Sequence, residues 1–352
     1  MKLFECGACG AWLDFESRVC ENCGRSVGYA AERGRMVALD TTGEDGVFAE
    51  QGGEGRYRFC ANDAHGACNW LIATDEPDVL CRCCRTNLVI PDLGDPVHVA
   101  RWQAIELAKH RLFYSLIRLD LPVKTKIEDA QEGLGFKFLA DWADARVMTG
   151  HEDGLITINI AEADDVEREI ARNAMQEPYR TLLGHFRHEI GHYYWDRLVD
   201  HTDRLDGFRT LFGDERADYA GALSTHYAQG APPDWRDRFV SAYASSHAWE
   251  DFAETFAHYL HMVDTLETAY AFGLRLRPKT RETPVEVTTI DFDPYRPTDF
   301  HTLLDAWKPL TRSMNAINRS MGQQDVYPFQ IVPAVAEKLA FIDGVVRAPH
   351  AA

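Results

Sequence analysis

The spacing of hydrophobic positions changes along the chain, and each change predicts a different element. Up to about residue 95 no long period holds. Within that stretch TTGEDGVFAEQGGEG, residues 41–55, is rich in glycine and acid and reads as a loop. Residues 90–99, IPDLGDPVHV, have the Pro/Gly content of a linker. From 98 onward Trp102, Ile105, Leu112 and Leu116 fall on one side of a helix. FKFLADW (136–142) and the run from 145 to 165 then predict strands, and the Asp-Gly pair within 151–154 predicts a hairpin turn. In the second strand Ile156, Ile158 and Ile160 alternate with Thr157 and Asn159, the pattern of a half-buried edge strand, where an extended peptide can add. Helical spacing returns at Leu182, Leu183, Phe186, Ile190 and Tyr194, with Pro178 as the expected first turn. Further on, FHTLLDAWKPLTRSMNAINRSM (300–321) predicts an amphipathic helix. LRPKTRETPVEV (276–287) predicts a loop.

These elements describe an α+β chain with a small domain over 1–95 and a larger, mostly helical domain with a short sheet over 96–352. The length of 352 residues accommodates both. Hydrophobic content of 45% and 26% charged residues are those of an ordinary globular chain. Net charge is −18, and residues 1–95 carry 16 acidic against 9 basic side chains, a net of −7. A nucleic-acid backbone would be repelled, so no nucleic-acid partner is expected. No run of about 18 apolar residues predicts a membrane span. The start, MKLFECGACG, lacks the apolar stretch of a secretory signal.

All nine cysteines lie between Cys6 and Cys84. Their paired CxxC spacings predict metal binding in a reducing cytoplasm rather than disulfides. Cys6, Cys9, Cys20 and Cys23 form CxxCG…CxxCG, in which Gly10 and Gly24 permit the tight turn after each knuckle. Four thiolates suit a closed, structural zinc site, with rubredoxin-like iron as the alternative. Cys60, Cys68, Cys81 and Cys84 predict a second structural zinc. His65 is a possible substitute ligand, and Cys83 is left over. A domain this small has little core, so metal would supply much of its folding free energy.

The helix around 184–198 carries HEIGH. At about 100° per residue, His188 and His192 point the same way, one turn apart. Glu189 sits beside them, and Gly191 keeps the helix slim. Two imidazoles holding zinc, with a carboxylate to take a proton from water whose pKa the metal lowers to about 7, is hydrolase chemistry. His185 is expected at the periphery. A catalytic zinc needs a third protein ligand. Two carboxylates are candidates: Glu215 in GDERADYAGAL and Glu250 in HAWEDFAETFAHYLH. Tyr193, Tyr194, Trp195 and Trp249 read as core, and His258 and His261 as polar helix positions.

EDFAETFAHYLH resembles the glutamate helix of lethal-factor-type toxin peptidases and related gluzincins. That resemblance implies Glu250 as the zinc ligand and Glu254 as its support. It also implies Tyr243, seven residues before Glu250, as a catalytic tyrosine. The chain as a whole is similar to the bacterial zinc-binding metallopeptidases with an N-terminal zinc ribbon. It implies a zincin-like metallopeptidase that acts on a peptide or protein, with one catalytic and two structural zinc ions. Glu189 would be general base, and Tyr243 would donate to the oxyanion. Glu215 and Asp218 are then structural or orient a ligand imidazole, and Asp251 is a support or cap. A protein partner at the ribbon is the other expectation. The rival reading is an adaptor or peptide binder with a zincin shape and no hydrolysis.

Overall fold

The computed structural model describes residues 2–142, 145–175, 179–279 and 287–350. At the N-terminus β1 (Phe4–Glu5) pairs antiparallel with β2 (Trp12–Leu13), and the Cys6–Cys9 knuckle lies between them. Beyond it the expectation of a core-poor ribbon fails. Strands β3 (Ser26–Ala30), β4 (Arg35–Thr41), β5 (Phe48–Glu50), β6 (Arg56–Phe59) and β7 (Trp70–Ala73) close into a barrel. Consecutive strands pair antiparallel, and β3 closes on β7 in parallel, with Tyr29 opposite Trp70. Ala30, Val37, Leu39, Tyr57 and Leu71 fill the interior, and Phe48 and Phe59 pack against them. The loop expected at 41–55 therefore contributes β5, a strand too short for its alternation to stand out.

After β8 (Asn87–Val89), the Asp95 side chain accepts from the Val97 N–H at 2.8 Å and starts α1 (Pro96–Arg118). The linker is thus confined to 90–95. Helix α1 does not leave the cysteine-rich segment. Its Tyr114 ring lies 5.5 Å from Phe15, 6.2 Å from Tyr29 and 6.3 Å from Phe4, and His110 lies 5.0 Å from Trp70. Strands β9 (Gly135–Leu139), β10 (Gly150–Glu152) and β11 (Leu155–Asn159) join β8 in a sheet of order β10-β11-β9-β8. Asp153 and Gly154, both at positive φ, make the expected tight turn. Strand β11 is not the edge: it pairs with β10 on one side and β9 on the other, and Ile156 and Ile158 are fully buried. The edge is β10, and Ile160 already belongs to the single turn Ile160–Ala163. With α1 and this sheet packed on the cysteine-rich segment, the chain divides by compactness into Met1–Glu169 and Ile170–Ala352. The division expected from sequence stood at 95/96. Helix α2 (Asp165–Met175) spans the observed one.

The second unit is helical: α3 (Leu182–Leu198), α4 (Leu205–Phe212), α5 (Tyr219–Gln229), α6 (Ala248–Ala271), α7 (Phe300–Ser320) and α8 (Pro333–Arg347). Its strands among the described residues are the short pair β12 (Arg275–Leu276) and β13 (Thr288–Thr289). The expected loop at 276–287 falls largely on 280–286, outside the described residues. So does Pro178. Helix α3 itself begins where the Thr181 hydroxyl accepts from the Gly184 N–H at 3.0 Å. Helix α6 is the hub, packing on α3, α4, α7 and α8. Phe252, Phe256, Tyr259, Leu260 and Met262 on it are fully buried. Buried ion pairs fix its neighbours: Arg187 of α3 with Asp264 at 2.6 Å, and Lys338 of α8 with Asp251 at 2.6 Å. Helix α5 differs, with no buried residue and a positive-φ glycine shortly before and just after it, Gly213 and Gly230. No helix among the described residues is long and apolar enough to cross a membrane.

In the barrel Glu50 is nearly buried and receives hydrogen bonds from Arg33, at 2.6 Å, and from Arg35. Burial alone would raise its pKa; the two guanidinium groups reverse that and hold it below the ordinary glutamate value of 4.5. A depressed folded-state pKa contributes stability above the unfolded value, lost as pH falls through the folded one. Glu50→Gln should therefore cost about 1–2 kcal/mol at neutral pH in denaturant unfolding. It should also flatten the acid limb of the stability profile below about pH 4.5.

Candidate metal centres and active site

The chain brings its cysteines together as two sets of four, both in the first unit: Cys6, Cys9, Cys20, Cys23 and Cys60, Cys68, Cys81, Cys84. In the first set Gly10 and Gly24 take left-handed backbone (φ 71° and 73°), and each donates its N–H to the cysteine four residues back, at 2.8 Å. Sulfur separations are 3.8 Å for Cys6–Cys23, 3.7 Å for Cys9–Cys20 and 3.7 Å for Cys68–Cys81. Tetrahedral zinc with Zn–S bonds of about 2.3 Å sets neighbouring sulfurs about 3.8 Å apart. The thiols are not alike: burial pushes those of Cys6, Cys68 and Cys81 up, while others are drawn toward the thiolate. Cys9 is drawn down to about 6 by the Asn22 amide and a backbone N–H, and Cys60 is lowered by donation from Cys68, Cys81 and Cys84.

His65 stays out of the second set; it ends a short turn, Ala61–His65, with its ring 5.9 Å from Trp102. Cys83 gathers instead with Glu106 and His110 of α1. His110 Nε2 lies 3.3 Å from Cys68 Sγ and 3.7 Å from Cys84 Sγ, and Lys109 forms a buried ion pair with Glu106 at 3.2 Å. A cation already neutralises that carboxylate, so the group reads as a polar backing for the thiolates rather than as a further metal site. No cysteine spacing announces it, because α1 follows a linker.

In the second unit α3 and α6 assemble His188, His192 and Glu250. Their Nε2 atoms are 3.2 Å apart, and Glu250 Oε2 lies 3.0 Å from that of His188 and 3.5 Å from that of His192. Tetrahedral zinc with N and O ligands at about 2.0–2.1 Å requires edges of about 3.3–3.4 Å. The buried Oε2 also accepts no hydrogen bond, so its lone pairs are turned toward the two imidazoles. The donor set and its spacing fit a zinc ion. The site's demand for positive charge is evident in His188. Burial would lower its pKa, yet the carboxylates of Glu250 and Glu254 hold it well above the usual imidazole range. A divalent cation would take the place of that proton.

Packing produces this triangle. Gly191, between His188 and His192, faces Ala253 so closely that a Cβ there would stand 2.9 Å from Ala253 Cα. At α6's start His247 accepts from the Trp249 N–H at 3.2 Å, which puts Glu250 in the first turn. One turn later Glu254 accepts from His188 Nδ1 at 2.8 Å and from the Ser241 hydroxyl at 2.5 Å, fixing the tautomer that leaves Nε2 for a metal. The Trp249 ring, expected in the core, lies 3.8 Å from the His192 ring and is only half-buried. Glu189 is nearly buried beside the ligands. Together with burial and Glu250, it raises the phenols of Tyr219 and Tyr243 above the usual range. Tyr243, in the turn Tyr243–Ser245, lies with its ring 5.9 Å from that of His188.

Glu215 is elsewhere, chelating Arg209 at 3.0 Å and 3.2 Å, and Asp218 caps α5 by accepting from the Gly221 N–H at 3.1 Å. Asp251 points to Lys338. His258 bonds the Tyr327 hydroxyl at 2.8 Å and His261 bonds Arg187 at 2.6 Å, so both belong to the helix packing. Tyr193, Tyr194 and Trp195 are core, as expected, and His185 is half-buried outside the ligand group. Ser241 and Tyr219 were missed. The Tyr219 hydroxyl donates to Glu250 Oε1 at 2.6 Å from a different helix, a contact that no sequence spacing announces.

Residues 98–345 match the family described as "Putative zinc-binding metallo-peptidase", and residues 3–95 match a zinc-ribbon domain. Uncharacterised proteins of Mycobacterium bovis and of two strains of Mycobacterium tuberculosis are each 44% identical over 347 residues. These matches span 98% of this chain and 95% of theirs. No solved structure matches.

Adding a methyl at the helix contact should act on the whole centre. Gly191→Ala is expected to cost about 1–3 kcal/mol in unfolding free energy through overpacking. Gly344→Ala, in α8 with open space at its Cβ, should be neutral or slightly stabilising.

Proposed function

The chain belongs to the zinc-binding metallo-peptidase family, and from that premise we propose that it hydrolyses peptide bonds at His188, His192, Glu189 and Glu250. The observation that carries this reading is the 3.0–3.5 Å triangle of two imidazole nitrogens and one carboxylate oxygen, with a second carboxylate next to it in sequence and nearly buried beside it. A zinc ion bound there would acidify water and polarise the scissile carbonyl. The chain's own groups do the rest. Glu189 takes the proton of the attacking water and returns it to the leaving amine. Tyr243 donates a hydrogen bond to the oxygen that gains charge in the tetrahedral intermediate. Glu254, held by Ser241, keeps His188 in the ligating tautomer and adds negative charge behind it.

The catalytic domain is zincin-like in this reading, and the two thiolate sets hold structural zinc, giving three ions per chain. The nine unpaired thiols support a reducing, cytoplasmic setting. An unstructured peptide or protein segment is the substrate class. A non-hydrolytic binder would need neither the Glu189 carboxylate nor a phenol at the metal.

Two measurements test the reading. Glu189→Gln should keep its metal and lose hydrolysis of an unstructured peptide mixture by a factor of at least about 10³; activity in that variant would sink the mechanism. Metal counting by native mass spectrometry should give three ions for the wild type and for Glu215→Ala, and two for Glu250→Ala.

A further inference from the structure

Glu250 offers two oxygens, and the structure treats them differently. Oε2 faces the two imidazoles without accepting a hydrogen bond, whereas Oε1 receives the Tyr219 hydroxyl at 2.6 Å. Tyr219 is itself held. It is the first residue of α5, directly after the Asp218 cap, and its ring stands edge-on to His247 (5.2 Å, 88°) and to Trp249 (5.8 Å, 78°). His247 in turn caps α6 and bonds the Ala217 carbonyl at 3.2 Å. The phenol is thus fixed against the turn of α6 that carries Glu250 and against the indole that stacks on His192.

We propose that Tyr219 is a positioning residue of the metal centre, whose hydroxyl ties down Oε1 so that Glu250 ligates through Oε2 alone. A carboxylate free to turn could offer both oxygens to a metal. That would fill the position left for water or a substrate carbonyl, and catalytic zinc sites keep that position open. The hydroxyl opposes it by holding Oε1 in a charge-assisted hydrogen bond directed away from the two imidazoles. It also divides the work of the two phenols: Tyr219 serves the ligand, and Tyr243 is left for the substrate. This rests on the ligand assignment of the proposed function but not on peptide hydrolysis.

The test uses the full chain and metal alone as probe. Zinc affinity of the histidine site is measured by chelator competition for wild type, Tyr219→Phe, Tyr243→Phe and Glu250→Ala. The cobalt(II) derivatives are compared by visible absorption. Tyr219→Phe should bind zinc about 10–100-fold more weakly, the usual effect of losing a partner of a ligand. Its cobalt bands should weaken as the carboxylate turns to give a fifth ligand atom. Tyr243→Phe should leave affinity and spectrum unchanged. Far-UV circular dichroism of Tyr219→Phe should match the wild type, separating the effect from misfolding. Wild-type affinity and spectrum in Tyr219→Phe would overturn the proposal, including the case in which only turnover falls, since that would make Tyr219 a substrate contact. If Glu250→Ala keeps its zinc, the ligand assignment fails and this proposal with it. If the wild type binds zinc and cuts no peptide, the function alone fails, and the affinity difference still decides the role of Tyr219.

Discussion

Everything at the candidate active site depends on how closely α3 and α6 approach at Gly191 and Ala253. Imidazoles one turn apart on α3 can meet a carboxylate from α6 only if the backbones come within reach of a short glutamate side chain. The absence of a Cβ at Gly191 permits that distance. The buried pair of Arg187 and Asp264 further along the same two helices holds their relative direction. A buried ion pair is a costly way to gain stability, but it fixes register well. Here it acts on the register that the ligand triangle needs.

The same economy of charge recurs in the first unit. Four thiolates around a divalent ion would leave a net negative charge in a dry place, and α1 places His110 next to the second set, with the Lys109–Glu106 pair behind it. That contact explains why the compact unit extends to Glu169 although the zinc-ribbon match ends at residue 95. The helix following the linker is part of the wall around the metal set, and its aromatic face closes the N-terminal hydrophobic cluster.

What could be read in advance followed from short-range spacing. The knuckle pairs, the Asp-Gly turn, the 3.6-residue rhythm of α3 and the offset of His188 from His192 are local patterns, and each has its element, although α3 starts at Leu182 rather than near Pro178. Glu250 needed the family resemblance, because the sequence alone left Glu215 equally open. Arg209 accounts for Glu215, and nothing in GDERADYAGAL foretells that pairing. The barrel was illegible for a physical reason: its strands are short, interrupted by glycines, and stabilised by closure between β3 and β7, a contact across forty residues of chain. Strand β11 was misjudged as an edge because alternation reports which faces are buried, not how many neighbours a strand has. Ser241, Tyr219, Glu106 and His110 share one property: each acts across elements, where sequence distance carries no information.

Helix α5 gives the site an uneven mechanical character. It buries no side chain and has a positive-φ glycine on either side, while α6 buries most of its length. Amide hydrogens on such a helix exchange through local opening far below the free energy of global unfolding, whereas those of α3 and α6 wait for the core. One oxygen of Glu250 thereby bonds to a residue of an exposed helix, and the other faces two imidazoles carried on the well-buried α3. Opening of the surface helix would reach Glu250 through that phenolic hydrogen bond and through the contacts of the Tyr219 ring with His247 and Trp249.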